Sequence, residues 1–509
     1  MRTDWIGHSP TAKMRRYQPS LPFLGTPAKR QHHPLSSERL TCSDCVSPLQ
    51  SRFLRWQPTA LFPLTRSATA FPGSEWDRTD PAAVGWSSDT LKQAEALSKT
   101  IGSTAVMVIH RGTVVAEWGD TATKTPLASV RKSLLSALIG NAVARGEIDL
   151  KKTIGELGID DNEPSLSPEE KTATVRELLE ARSGVYHAAL FETASMATQR
   201  PPRHSHPPGT FWYYNNWDFN TLGTIYEHAT RHSIFDAFAT EIAGPIGMQD
   251  YRPADGAYVT GAASVYPAYP FDMSARDLAR FALLYLHNGA WRDRQVVPAE
   301  WVAESTKAYS QTDFGGLGGG YGYLWWIGFV DNLVVPVVKL PAGTFFALGY
   351  GGQFAFVIPV YDLVVVHRHD EEHGPNLRQM GRLLWLVLDA GHFPDIGPDA
   401  TIAAAKGKPL DGGALKQLVT GKTLRYGDGA ASGPYRIRLD NDGSATALRG
   451  ADRIQFDSGK WHVEGDRLCR DWQKTQPLHA CWSAVDEGEH VAFFDGDGLM
   501  YIDTHVESD

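Results

Sequence analysis

Ser129-Val130-Arg131-Lys132 is the only Ser-x-x-Lys in the chain, and it opens an apolar stretch that runs to Ala144. On a helix, residues three apart lie one turn apart on the same face, so the lysine amine reaches the serine hydroxyl. A serine hydroxyl becomes a nucleophile when a base takes its proton, and a lysine does this once burial or a nearby positive charge lowers its pKa. The start of the helix adds partial positive charge beside the nucleophile. A second group follows at Pro208-Gly-Thr-Phe-Trp-Tyr-Tyr-Asn-Asn216, a polar aromatic cluster that enters a helix carrying Leu222-Gly223.

Rival motifs lack a necessary residue. His369-Asp-Glu-Glu-His373 imitates a metalloprotease helix, but Asp370 stands where glutamate is required and the segment follows a strand, so a solvated loop is expected. His204 and His206 lie between Pro202 and Pro207 and read as pocket-rim or surface residues. Gly421-Lys-Thr423 resembles the end of a phosphate-binding loop, but Lys416 replaces the first glycine. The chain has no Gly-x-Ser-x-Gly nucleophile elbow. Cys42 and Cys45 are too far from Cys469 and Cys481, and lack flanking histidines at finger spacing, for a four-cysteine zinc site. No metal and no cofactor is expected.

The elements that must position these residues follow from periodicity. Residues 104–118 form two β-rich runs around Arg111-Gly112, a hairpin. From Ser129 to Ala144, Leu134, Leu135, Leu138, Ile139, Ala142 and Val143 fall on one helical face, closed by Gly146. Ser167-Pro-Glu-Glu170 and Thr174-Val-Arg-Glu177 are capping boxes, and Ser274-Ala-Arg-Asp277 starts a further helix. Gly315 to Gly322 reads as a loop, and residues 323–330, 354–358 and 363–366 read as strands. This order places the N- and C-terminal parts of the domain in one sheet with a helical insertion between them.

The chain has 509 residues, 42% hydrophobic and 21% charged, with net charge -9. At about 150 residues per domain this suggests roughly three units with ample core. The composition excludes collagen-like, coiled-coil and generically disordered classes. The mild acidity gives no electrostatic reason to expect a nucleic-acid partner. Residues 1–75 are basic, proline-containing and aperiodic, and are expected to be a disordered extension. They show no apolar run of secretory-signal length, and the chain has no transmembrane stretch. The catalytic domain is expected over 76–398, a linker over 399–413, and a small β-rich domain over 414–509 with Trp461, Trp472 and Trp482. The spacing of Cys469 and Cys481 suits a local disulfide in an oxidising compartment and equally two reduced core cysteines.

With these motifs in order, the chain resembles the penicillin-recognising serine hydrolases: class C β-lactamases, DD-peptidases and related esterases and amide hydrolases. Ser129-x-x-Lys132 is similar to the first family motif and Tyr214-Asn215-Asn216 to its Tyr-x-Asn. Tyr213 is a rival whose spacing to Leu222-Gly223 is one residue off. The resemblance runs from about Trp86 to His392 and includes Thr174 to Gly184. It implies an α/β (α+β) β-lactamase/transpeptidase-like fold, an antiparallel sheet flanked by helices plus an all-helical lobe, followed by the all-β C-terminal domain.

The third family element, Lys-Thr-Gly or His-Thr-Gly, is absent, and by the match Tyr350-Gly351-Gly352 stands in for it. The glycines admit a close backbone approach, and the resemblance pairs the amide of Gln353 with that of Ser129 as an oxyanion hole. Loss of the lysine points to neutral esters or amides. The resemblance implies that Lys132 and Tyr214 deprotonate Ser129, that Tyr214 returns the proton to the leaving group, and that Asn216 orients Lys132 or the substrate. His187 is expected to line the cleft. A small-molecule ester or amide is the expected partner. The alternatives are a β-lactamase or D-amino-acid peptidase, and a silent binding homologue that keeps the cleft as a pocket. The resemblance and the Cys469/Cys481 pair point to periplasm or secretion, and the missing signal run to cytoplasm.

Overall fold

The computed structural model describes residues 70–508 apart from 313–318, 329–334, 336, 371–373, 398, 427–433, 451 and 476–477. The basic extension, but for its last residues, and its Cys42/Cys45 pair lie outside the described residues, as do parts of the glycine-rich run and of the His369–His373 segment.

Eight antiparallel strands form the first sheet: β1 (Ala105–His110), β2 (Thr113–Gly119), β3 (Ser310–Thr312), β4 (Gly319–Tyr321), β5 (Trp326–Ile327), β6 (Phe345–Gly349), β7 (Gln353–Ile358) and β8 (Leu363–Arg368). Their order is β2-β1-β8-β7-β6-β5-β4-β3. The hairpin turn is Arg111-Gly112, both at positive φ (54° and 78°), the two-residue geometry that matches strand twist. β1 pairs with β8 from Ala105↔Arg368 to His110↔Leu363, so the two ends of this region meet in one sheet as the element order requires.

β7 and β8 are buried at every position, which is why they read as continuous apolar runs rather than as alternation. Helix α1 (Ser88–Thr100) packs on α5 (Leu377–Ala390), and α4 (Ala275–Leu286) lies across β7 and β8. Between them come α2 (Arg131–Ala144) and α3 (Asn216–Thr230) with several shorter helical segments. The result is the expected antiparallel sheet with flanking helices.

Three local expectations are changed, the first being that Gly319–Tyr321, within the glycine run expected as a loop, is strand β4, paired on both sides. Helix α2 is buried all round, including Arg131, Lys132, Ser133, Ser136 and Asn141, and so does not present one apolar face. It runs through the centre of the helical layer, where Lys132 meets Ser129, Ser133 donates to the Leu324 carbonyl and Asn141 donates to Glu241. The strand expected over 323–330 is regular only at Trp326–Ile327 among the described residues, because Leu324 adopts φ 65° and turns the chain just before it.

The C-terminal part is a closed up-and-down barrel. Its strands are β9 (Lys422–Tyr426), β10 (Tyr435–Leu439), β11 (Ser444–Arg449), β12 (Ile454–Glu464), β13 (Arg467–Trp472), β14 (His479–Asp486), β15 (Val491–Phe494) and β16 (Met500–Ser508). Each pairs with the next, and β16 pairs back onto β9, which removes the free edges. Leu424, Ile437, Leu439, Trp461, Leu468, Trp482 and Phe493 fill it, joined by Leu415 and Val419 of α6 (Gly412–Val419). Lys408-Pro409 pairs with β14. The barrel meets α5 through Arg378, whose Nε donates to the Tyr501 carbonyl (2.8 Å) while its guanidinium lies 4.0 Å from that ring's centre. Cys469 and Cys481 are joined in a disulfide.

Candidate active site

The segment that delivers Ser129 is held before the helix begins. Thr125-Pro126 pairs with Asp272-Met273, and the Leu127 N–H donates to the Phe271 carbonyl (2.8 Å). Arg368, fully buried at the end of β8, donates to the carbonyls of Met273 (2.7 Å), Thr125 (2.8 Å) and Pro126 (2.9 Å) and to Gln353 Oε1 (2.7 Å). Its charge is thus solvated by backbone carbonyls of the strand pair that leads to the nucleophile. Ala128 then takes φ 46°, a conformation costly for a residue with a Cβ, and a short 3-10 turn (Ala128–Val130) runs into α2.

Lys132 Nζ lies 2.5 Å from Ser129 Oγ. The amine is buried, with the rings of Tyr214 and Phe219 centred 4.8 and 4.9 Å away. Burial, reinforced by the charge of Arg131, holds its pKa well below the usual lysine value. Tyr214 hydrogen-bonds Ser129, and burial pushes its phenol up against the opposing pull of Ser129 and Arg131. The site therefore holds a lysine biased towards free amine and a tyrosine biased towards neutral phenol, both on one hydroxyl. Trp326 and Tyr321 pack on Tyr214 with ring centres at 5.4 and 5.9 Å.

Tyr214 is presented by the start of α3. Asn215 caps that helix by accepting from the Trp217 N–H (3.1 Å), and its amide donates to the Val185 carbonyl (2.7 Å) and to Asp218 (2.9 Å). Ser183 donates to the same Asp218 oxygen (2.5 Å). The neighbouring Tyr213 is used elsewhere, donating its hydroxyl to the Met196 carbonyl (2.8 Å). Asn216 donates to the Phe191 carbonyl (2.5 Å), and its buried Oδ1 has no hydrogen-bond partner among the described residues.

Tyr350-Gly351-Gly352 forms the tight connection between β6 and β7, whose last ladder pair is Gly349↔Gln353. The close approach to the Ser129 turn is made by Gly349, two residues before the first of the two glycines expected to make one. A Cβ on Gly349 would lie 2.4 Å from the Leu127 carbonyl oxygen and 3.1 Å from Ala128 Cβ, so only glycine lets this strand end meet the Ser129 turn. Tyr350 projects outward, 65% exposed. The Gln353 side chain is buried against β8, with its amide donating to the His369 carbonyl (2.6 Å). His187 is buried with its ring nitrogens against the carbonyls of Ala188 (3.0 Å) and Asn162 (3.1 Å), and Asp161 lies 3.6 Å away. It is tied to the Asp161-Asn162 turn.

Ser129, Lys132, Tyr214 and the Gly349 turn thus come together. Arg131, Arg368, Asp218 and Phe219 belong to the same surroundings and escaped the sequence reading. For Arg131 a signal existed, since it lies inside the Ser-x-x-Lys motif beside the lysine whose pKa must fall. An open hollow of about 430 Å³ lined by Asn141, Arg145 and Glu300 sits at the opposite end of α2 and is remote from this chemistry.

The Beta-lactamase family model matches residues 89–388, more than half of the chain. An uncharacterized protein of Alkalihalophilus pseudofirmus is 23% identical over 299 residues, 53% of this chain and 84% of its own length. Among solved structures, a beta-lactamase from Mycobacterium bovis is 24% identical, covering 58% of this chain and 98% of its own, with TM-score 0.43. The octameric penicillin-binding protein homologue from Pyrococcus abyssi is 15% identical, covering 82% and 99%, with TM-score 0.48. The region matched by the family model holds Ser129, Lys132 and Tyr214 together with the sheet and helices that carry them, and the chain belongs to the beta-lactamase family.

Proposed function

We propose that the chain hydrolyses small neutral esters or amides through an acyl-enzyme on Ser129. The observation that carries this reading is the 2.5 Å approach of the buried Lys132 amine to the Ser129 hydroxyl. Lys132 takes the serine proton as Oγ attacks the carbonyl carbon. The tetrahedral oxyanion accepts hydrogen bonds from the Ser129 N–H and from the β6–β7 turn, through the N–H of Gln353 or of Tyr350, the residue next to the close-approaching Gly349. One such donor contributes about 3 kcal/mol to transition-state stabilisation. Tyr214 passes the proton to the leaving group. Water then attacks the ester carbonyl, giving up its proton to the same pair, and the acid leaves as Ser129 is reprotonated. Asn216, with its free buried carbonyl, orients the polar part of the substrate.

The exposed Tyr350 supplies no cation where the related enzymes have one, which favours a substrate without a carboxylate. Ser129→Ala should abolish labelling by a fluorophosphonate and lower kcat/KM for a p-nitrophenyl ester by about 10³-fold or more, with unchanged thermal unfolding; persistent labelling rejects the assignment. Rates on a short acyl ester, a linear amide and a cephalosporin test the substrate class, and fastest turnover of the cephalosporin rejects it.

A further inference from the structure

The outer face of the barrel carries chemically able side chains that the hydrolase site does not use. Along β12, β13 and β14, alternation turns Trp461, Leu468 and Trp482 inward and His462, Glu464, Cys469, Asp471, His479 and Cys481 to the other face, where Cys469 is itself fully buried. The ladder sets His462 opposite Cys469, Cys469 opposite Cys481, and Asp471 opposite His479. The two cysteine Cα atoms are 4.0 Å apart. His479 Nε2 lies 3.5 Å from Cys481 Sγ. Its other nitrogen, Nδ1, lies 2.7 Å from Asp471 Oδ1, and His462 Nδ1 is 3.9 Å from the second Asp471 oxygen. Ligand atoms of His462, Glu464 and Cys469 lie within 4.8 Å of one another.

Two cysteine sulfurs and two imidazoles are donor types that tetrahedral zinc takes, and the 3.5 Å between His479 Nε2 and Cys481 Sγ is a ligand–ligand spacing of that kind. Zn–S bonds of about 2.3 Å and Zn–N bonds of about 2.0–2.1 Å put neighbouring ligand atoms about 3.3–3.8 Å apart. A carboxylate on the far nitrogen of a histidine is the usual support of a zinc-binding imidazole, and Asp471 occupies that place behind His479. What prevents binding is the sulfur–sulfur bond, since zinc takes thiolates.

We propose that Cys469, Cys481, His479 and His462 form a thiol-gated zinc site, open when the disulfide is reduced and closed when it re-forms. A dithiol attacks one sulfur and leaves as its own disulfide, delivering two electrons and two protons to the cysteine pair. Zn²⁺ then displaces both thiol protons to solvent and is held by two thiolates and two neutral imidazoles, a site of zero net charge. On oxidation the pair gives two electrons to an incoming disulfide, the sulfur–sulfur bond forms, and the metal leaves.

The test uses the full chain with Cys42→Ser and Cys45→Ser, which removes the other cysteine pair. Equilibrium dialysis against Zn²⁺ compares the untreated chain with one reduced by a phosphine, which does not itself supply thiols. The reduced chain should hold one equivalent at least a hundredfold more tightly than the disulfide form. His462→Ala and His479→Ala, both at exposed positions, should each weaken this at least tenfold, and Co²⁺ in place of zinc should show a tetrahedral, sulfur-ligated spectrum. Equal binding before and after reduction overturns the proposal. So do indifference to both histidine substitutions, absence of binding in the reduced chain, and loss of the barrel's circular dichroism on reduction with zinc present.

Discussion

Replacing Arg131 by methionine separates the electrostatics of the site from its packing. Arg131 is 2% exposed, with its guanidinium 4.1 Å from the centre of the Tyr269 ring and one Nη donating to Asn220 Oδ1 (3.2 Å). The other Nη has no hydrogen-bond partner, and no carboxylate pairs with Arg131 among the described residues. Burial lowers the Lys132 pKa most, and the neighbouring charge of Arg131 lowers it further by disfavouring a second cation beside it.

In the proposed mechanism Lys132 acts as the free amine, so activity should rise as pH passes through its pKa. Removing the neighbouring charge makes the ammonium easier to form. The acid limb of kcat/KM should then move to higher pH, with little change on the plateau. Burying methionine in place of an unpaired charge should meanwhile stabilise the fold by about 1–4 kcal/mol. Arg131→Lys, which keeps the charge, should keep the limb. The measurements are pH–rate profiles on a p-nitrophenyl ester and thermal unfolding. An acid limb that stays in place in Arg131→Met, or moves equally in Arg131→Lys, refutes the electrostatic role.

Three further perturbations test the surroundings. A Cβ on Gly140 would sit 2.3 Å from the Trp301 indole, so Gly140→Ala should destabilise by about 1–2 kcal/mol despite its better helix propensity, and Gly140→Ala/Trp301→Leu should recover most of it in thermal melts. Lys132 has a folded pKa below its unfolded value, so the unfolded chain binds the extra proton and stability rises with pH until the unfolded value near 10.5 is passed; Lys132→Met should lose activity and flatten that rise. Burial holds the Asp218 carboxyl well above the usual carboxylate range, so its share of stability is present at low pH and falls as pH climbs from about 3.8 through the folded value. Asp218→Asn should remove this fall, whereas Asp218→Ala, which strands Ser183 and Asn215, should cost about 2–3 kcal/mol in denaturant unfolding.

How far the sequence carries depends on whether the deciding contact is local. The Arg111-Gly112 hairpin, the capping boxes at Ser167 and Thr174, and the one-turn spacing of Ser129 and Lys132 involve neighbours in the chain, and all are present. The break at Leu324 and the close approach at Gly349 depend on partners far away, the latter on Leu127, more than two hundred residues earlier. Arg368 gave no sign because most of its partners are backbone carbonyls, which every residue has.

By itself the sequence determined the element types, the Ser-x-x-Lys turn and the aromatic entry to α3, because helix period, strand alternation and capping chemistry are written in adjacent side chains. Tertiary structure decided which tyrosine meets the serine, since Tyr213 finds the Met196 carbonyl while Tyr214 faces Ser129. It also placed Lys132 in an aromatic enclosure beside an unpaired guanidinium, set the cysteines opposite one another, and closed the barrel by joining 422–425 to 505–508. Burial and long-range register are properties of the packed chain, and they set the pKa of a lysine that its spacing alone leaves undetermined.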